Sequence, residues 1–202
     1  MTETKCVKIS VREIAGRILG QLGNTLEISS TKAMLANLRN SIGRDIENSV
    51  DIWPLIFEYM PEEFLSQNGT ITVEERALIV TLQLYALHQQ GISSSVNATD
   101  RKQFSNIGSS LKFLRTEEKT DAIDRRFNAL VTASTFSELE HHLRYLVKML
   151  RSKGKGTIKI NYAQLANDLF WYQLGKQQSI KLNWGRSYYS HAKLSKEEIT
   201  NE

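Results

Sequence analysis

The sequence predicts an all-α protein, a single compact bundle of roughly seven to nine helices. Three observations lead there. Apolar residues recur at three- and four-residue spacing through most of the 202 positions. Only two prolines occur, Pro54 and Pro61, so the stretches on either side run uninterrupted. Two capping boxes, Thr72-x-x-Glu75 and Thr135-x-x-Glu138, stand directly before periodic apolar runs.

Each element follows from a local pattern. Residues 6–22 place Val7, Val11, Ile14, Ile18 and Leu22 on one helical face. Met34, Leu35, Leu38 and Ile42 form a second, which Gly43 can end. Trp53-Pro54 suits the first turn of a short helix, where proline is tolerated, with Leu55, Ile56, Tyr59 and Phe64 to pack. The Thr72 box opens a helix bearing Leu78, Ile79, Leu82, Tyr85 and Ala86, and Gly91 stops it. Residues 92–100 are a Ser/Asn/Thr loop.

Phe104, Ile107, Leu111 and Leu114 give the next helical face. Thr116 is placed to cap a helix with Glu117 and Glu118 in its first turn and Ile123, Phe127, Leu130 and Val131 inward. The Thr135 box opens the best amphipathic segment, predicted over 136–151, with Leu139, Leu143, Leu146, Val147 and Leu150 along one side. Ser152 to Gly156 reads as a loop and Thr157 to Ile160 as a short extended piece. Asn161 caps a helix burying Tyr162, Leu165, Ala166, Leu169 and Phe170. Ile180, Trp184 and Tyr188, four residues apart, predict a last helix, with Gly185 admitting a close neighbour. The helical domain is expected over 1–193, with a polar tail over 194–202.

Charge is unevenly distributed. The net charge is +4, yet residues 101–193 hold 17 Lys and Arg against 7 Asp and Glu, a net of +10, while residues 1–100 carry −4. Such clustering is unfavourable unless an anion relieves it, and nucleic acid is the commonest large anion. The amphipathic segment concentrates the effect. His141, Arg144, Lys148 and Arg151 recur at spacings of three and four on a second stripe beside the apolar one. Like charges at that spacing repel, and a phosphate chain laid across them reverses the sign through counterion release.

Arg126 lacks an obvious local partner, whereas Arg125 has Asp121 four residues earlier. Lys112 and Arg115 follow Ser109-Ser110, and Arg39 and Arg44 are the cations of the acidic half least explained by neighbours. Arg186 lies among Trp184, Tyr188 and Tyr189, aromatics that suit either base stacking or a core. Candidate nucleic-acid contacts are therefore Arg144, Lys148, Arg151, Arg126 and Lys112, then Arg39, Arg44, Arg125, Arg115 and Arg186.

Catalysis finds little support. His88, His141, His142 and His191 form no HxxxH pattern, Cys6 stands alone, and no phosphate-cradling glycine loop occurs. No metal and no cofactor are expected. Asp168, among Leu169, Phe170 and Trp171, reads as a buried hydrogen-bonded carboxylate. One cysteine and the lack of an apolar leader or membrane-length run lead to the expectation of a cytoplasmic protein.

An ordered set of residues resembles a known family. It comprises Ala36-Asn37-Leu38-Arg39; Ile107-Gly108-Ser109-Ser110-Leu111 followed by Arg125-Arg126-Phe127; the Leu143-Arg144-x-Leu146-Val147-x-x-Leu150-Arg151 helix; and Asn161-Tyr162-x-x-Leu165-x-x-Asp168-Leu169, ending in Trp184-Gly185-Arg186-x-Tyr188-Tyr189. Together they resemble the CasB family, the small subunit of the type I-E CRISPR surveillance complex Cascade, over residues 33–190. One position departs: Ser109 stands where that family leads us to expect a base.

The resemblance implies an all-α subunit of an antiviral complex, without catalytic activity of its own. Two copies would line a complex built on CRISPR RNA and hold the displaced strand of target DNA, while a separate helicase–nuclease cuts. Its partners would be the other Cascade subunits, CRISPR RNA, target DNA and a second copy of itself. The cationic stripe agrees with that role, since base pairing carries sequence specificity in such systems and protein grips backbone. Two rivals stand beside it. One is a protein–protein adaptor whose basic face docks onto acidic surfaces of other subunits. The other is a metal-dependent nuclease, motivated only by scattered acids.

Overall fold

The computed structural model describes residues 9–100, 103–115 and 120–190. Helix α1 (Val11–Asn24) starts later than apolar spacing suggested, because Ser10 and Glu13 form a reciprocal capping box. Cys6 and Val7 lie outside the described residues. Helix α2 (Ser29–Asn40) follows, then two single-turn helices and α3 (Trp53–Phe57), with Pro54 in its first turn as expected. Thr72 and Glu75 close the predicted box at the start of α4 (Val73–Gln89).

Helix α4 is the axis of the bundle. Nearly every side chain from Ala77 to Gln89 is buried, polar Thr81, Gln83 and His88 among them. Such a helix has no solvent stripe because helices surround it; here α1, α2, α7 and α8 do so. Gln83 satisfies its amide against Ser41 Oγ at 2.9 Å. Gln89 fixes the outgoing loop, donating to the carbonyls of Ile92 and Ser94 and accepting from Val96 N. That loop meets Ile160 in an isolated parallel β-bridge at Asn97, and among the described residues there is no β-strand.

The segment predicted from Phe104 to Leu114 is shorter than expected: α5 spans Ile107–Leu111 and tightens into a single turn at Lys112–Leu114. Helix α6 (Thr120–Thr132) buries Ile123, Phe127 and Leu130; the proposed cap Thr116 with Glu117 and Glu118 lies outside the described residues. Helix α7 (Phe136–Gly154) runs three residues beyond prediction and ends with Lys155 in the left-handed conformation, φ 44°. Helix α8 (Tyr162–Trp171) starts at Asn161, which accepts from Gln164 N. A wide turn over residues 172–176, kinked at Gly175 (φ 86°), leads into α9 (Gln177–Tyr189).

Packing at α9 corrects one expectation. A side chain on Gly185 would meet nothing, whereas a Cβ on Gly108 would stand 2.1 Å from the Trp184 carbonyl oxygen. The glycine that lets two helices approach is therefore Gly108, on α5. Trp184 is fully buried and donates from Nε1 to Asp168 Oδ2 at 2.7 Å. Burial raises the Asp168 pKa, and this bond together with one from Gln164 opposes the rise. Asp168 is thus the buried, hydrogen-bonded acid expected. His191 and the tail 194–202 lie outside the described residues.

Candidate nucleic-acid interface

Helix α7 carries the cationic stripe because two patterns share it. Thr135 caps its start, accepting from Glu138 N at 3.1 Å. Leu139, Leu143, Leu146, Val147 and Leu150 are buried against the bundle, which turns the polar side outward. At about 100° per residue, His141 and Lys148 fall along the crest, Arg144 and Arg151 on the flank toward α2, and His142 and Tyr145 on the flank toward α6.

Cations from other elements meet the first flank. Arg151 donates to the Gln90 side chain just beyond α4. Arg39 of α2 lines a cavity of about 380 Å³ together with Gln90. Partial burial lowers the Arg39 pKa, and the like charge of Arg151 lowers it further. Two cationic side chains thus converge here, and neither forms an ion pair among the described residues. Further along, Arg44 and Arg144 line a cleft of about 470 Å³ that also takes in Arg76 and the acids Asp45, Glu47 and Glu140. Arg144 is held there by Glu140, with Nη2 donating at 2.6 Å. Lys148 is exposed and has no carboxylate partner among the described residues.

The second flank is chemically different. Arg125, Arg126, His141, His142 and Tyr145 line a groove of about 560 Å³ between α6 and α7. Its remaining lining is Ala122, Ala129 and Leu146, and no acid contributes among the described residues. Arg126 donates to the Ala122 carbonyl at 2.7 Å and lies 5.4 Å from the centre of the Tyr145 ring. Arg125 binds the backbone carbonyl of Asp121 rather than the carboxylate that sequence offered as its partner. His142 comes within 3.9 Å of Glu138 at the groove's end.

The remaining candidates lie elsewhere. Arg115 is locked to Asp124 through Nε at 2.9 Å and Nη2 at 3.0 Å, and it stands 5.3 Å from the ring centres of Tyr188 and Tyr189. Those bonds raise its pKa. Its charge is neutralised inside a network where Tyr188 also donates to Asp124, at 2.6 Å. Lys112 reaches Ser190 Oγ at 3.2 Å. Ser109, where a basic residue was expected, completes the capping box of α5, its Oγ accepting from Asn106 N at 3.3 Å and donating to the Asn106 carbonyl at 2.6 Å. Arg186 is exposed on α9. The structure thus gathers Arg39, Arg44, Arg144, Lys148 and Arg151 on α7 and its α2 flank, and Arg125 and Arg126 on the α6 flank. Lys112, Arg115 and Arg186 belong to the α5–α9 end.

Sequence reasoning passed over three residues that build the site. Tyr145 was hidden because it breaks the cation pattern, although an aromatic next to Arg144 on the polar side of an amphipathic helix is a visible signal. Gln90 and Arg76 come from distant segments, and no spacing rule reaches them. Among the described residues no group of three His, Cys, Asp or Glu side chains is placed to hold a metal ion. No described helix is long and apolar enough to cross a membrane.

Comparison with known proteins agrees with this architecture. CasB from Thermobifida fusca superposes with a TM-score of 0.71 at 23% identity, covering 89% of this chain and 98% of that one. CasB from Thermus thermophilus gives 0.60 at 21% identity, covering 87% and 97%. A chain of a CRISPR RNA-guided surveillance complex gives 0.66 at 19% identity, covering 89% and 93%. At these identities the likeness speaks for the fold. A search of curated protein sequences found no match. The model of the CRISPR-associated protein Cse2 family matches residues 34–189, more than three quarters of the chain. This stretch contains α3 to α9 and most of α2, with every cation discussed above, and the chain therefore belongs to the Cse2 (CasB) family of CRISPR-associated proteins.

Proposed function

We propose that this chain is the small, non-catalytic subunit of a type I-E CRISPR RNA-guided surveillance complex, and that α7 grips the sugar-phosphate backbone of displaced target DNA. Family membership and the fold shared with a chain of such a complex support the assignment to a complex. One observation carries the backbone contact: Arg39 and Arg151 converge around Gln90, neither pairs with a carboxylate among the described residues because Glu27 of the same cavity is taken by Lys32, and exposed Lys148 continues the line. Convergent like charges are relieved by a polyanion. Strand exchange against a guide is nearly balanced in energy, so a few phosphate contacts suffice to tip it. The affinity required is modest, salt-sensitive and independent of sequence.

The adaptor reading would use the same basic face, and a second surface is open to protein contact. Trp53 and Phe57 are exposed on α3, their ring centres 6.0 Å apart, in the acidic half of the chain. Such a patch suits contact with protein, either another subunit or a second copy of this chain. The test is purification of the chain with its native complex, as wild type and as Lys148→Glu/Arg151→Glu. Our reading expects co-purifying subunits and a short guide RNA in both, with weaker protection of the displaced DNA strand in the variant. A variant that fails to join the complex would favour an adaptor role for the basic face.

A further inference from the structure

The two flanks of α7 differ in a way that backbone gripping leaves unexplained. The cleft beside α2 carries Asp45, Glu47 and Glu140. Among the described residues the groove beside α6 is lined by no acid; its chemistry is apolar, aromatic and cationic. Ala122 and Ala129 are seven residues apart on α6, about two turns, and their small side chains leave the groove open above buried Leu146. Tyr145 keeps 46% of its surface exposed although Leu139, Leu143, Leu146, Val147 and Leu150 of the same helix are buried. Arg126 is held in place by the Ala122 carbonyl and lies against one face of that ring. Exposed Arg125 stands at the rim.

We infer that this groove is a stacking subsite for a single unpaired base of DNA, with the Tyr145 ring and the Arg126 guanidinium plane as its platform. A flat aromatic ligand gains from contact with a phenol ring and an arginine plane whatever its identity. The cationic rim suits the phosphates on either side of the base, and a groove without carboxylates imposes no repulsion on them. A protein partner of comparable apolar content would need far more buried area than this groove offers. The inference rests on the proposed function, because the strand must first lie along α7; it adds that one base is turned inward rather than left to solvent.

The test separates the two. Full-length chain is titrated with a 15-residue oligothymidylate, with a base-free deoxyribose-phosphate oligomer of equal length and charge, and with oligouridylate. Wild type is expected to bind the oligothymidylate about tenfold more tightly than the base-free oligomer, the effect of one stacked base. Tyr145→Ala should erase that ratio and leave the salt dependence unchanged, while Tyr145→Phe should retain it. Melting of each variant, unchanged for an exposed position, shows that folding is intact. Equal affinity for the two DNA oligomers, or a ratio that survives Tyr145→Ala, overturns the stacking subsite while leaving backbone gripping in place. Binding of oligouridylate alone overturns the assignment to DNA. Absence of salt-sensitive binding to any oligomer overturns the reading on which the subsite rests.

Discussion

Helix α7 and the α9 end of the molecule contain the same kinds of residue, cations among aromatic rings, and put them to opposite uses. At the α9 end Trp184, Tyr188 and Arg115 each find an internal partner, and Arg186 stays exposed. Trp184 donates to Asp168, Tyr188 stacks on Phe127 with centres 3.8 Å apart, and Arg115 and Tyr188 both converge on Asp124. Around α7, Lys148 pairs with no carboxylate among the described residues, Arg39 faces Arg151, and Tyr145 is left half exposed with Arg126 over its ring. The difference lies in the acids. Asp124 and Asp168 project into the α9 cluster, whereas among the described residues Glu140 alone forms an ion pair with the cations of the α7 stripe. A cation–aromatic cluster is part of the fold where carboxylates close it, and a surface for an external anion where they do not.

The strongest way to break this comparison is to remove a closed partner. Trp184→Ala should cost about 3–5 kcal/mol through the cavity left in the core, read as a lower midpoint in denaturant unfolding. A loss below about 1 kcal/mol would place Trp184 outside the structural set.

A second prediction concerns His88, buried behind Arg151. Its Nδ1 lies 3.0 Å from Tyr162 Oη, which donates onward to the Leu84 carbonyl, and its Nε2 has no hydrogen-bond partner among the described residues. Burial, with the charge of Arg151 behind it, lowers its pKa from 6.5 to about 4. The folded state therefore resists protonation of this ring. Its contribution to stability is full above pH 6.5, falls as pH drops toward 4 and levels off below that. The steepest slope is ~1.4 kcal/mol per pH unit. Unfolding of His88→Gln across pH 7 to 4.5 should show a shallower decline, and Arg151→Gln should move the histidine's midpoint upward.

Asp124→Ala should cost about 1–3 kcal/mol, since it leaves Arg115 and Tyr188 without their shared acceptor. The smallest effect sharpens the contrast. Lys148→Glu with Arg151→Glu should change stability by less than about 0.5 kcal/mol per site, because neither charge is closed by a carboxylate.

Much of this fold is legible in sequence because it depends on local chemistry. The Thr72 and Thr135 caps sit where their spacing put them, and the apolar stripe of α7 is buried residue for residue. The errors arise where contacts distant in sequence decide. Gly108 makes the close approach because the Trp184 backbone passes over it, which no local pattern encodes. The site was half legible. Arg144, Lys148 and Arg151 follow from helical spacing alone, but spacing could not show that Asp124 would capture Arg115 from nine residues away. Nor could it place Gln90, 61 residues from Arg151, at the centre of the cationic cluster.

The most direct measurement is the salt dependence of single-stranded DNA binding by the full chain, compared with Lys148→Glu/Arg151→Glu. Each lost phosphate contact should reduce the slope of log affinity against log salt by about 0.7, so the variant should bind more weakly with a slope shallower by about 1.4, at unchanged melting temperature. An identical slope in the two proteins would contradict the account.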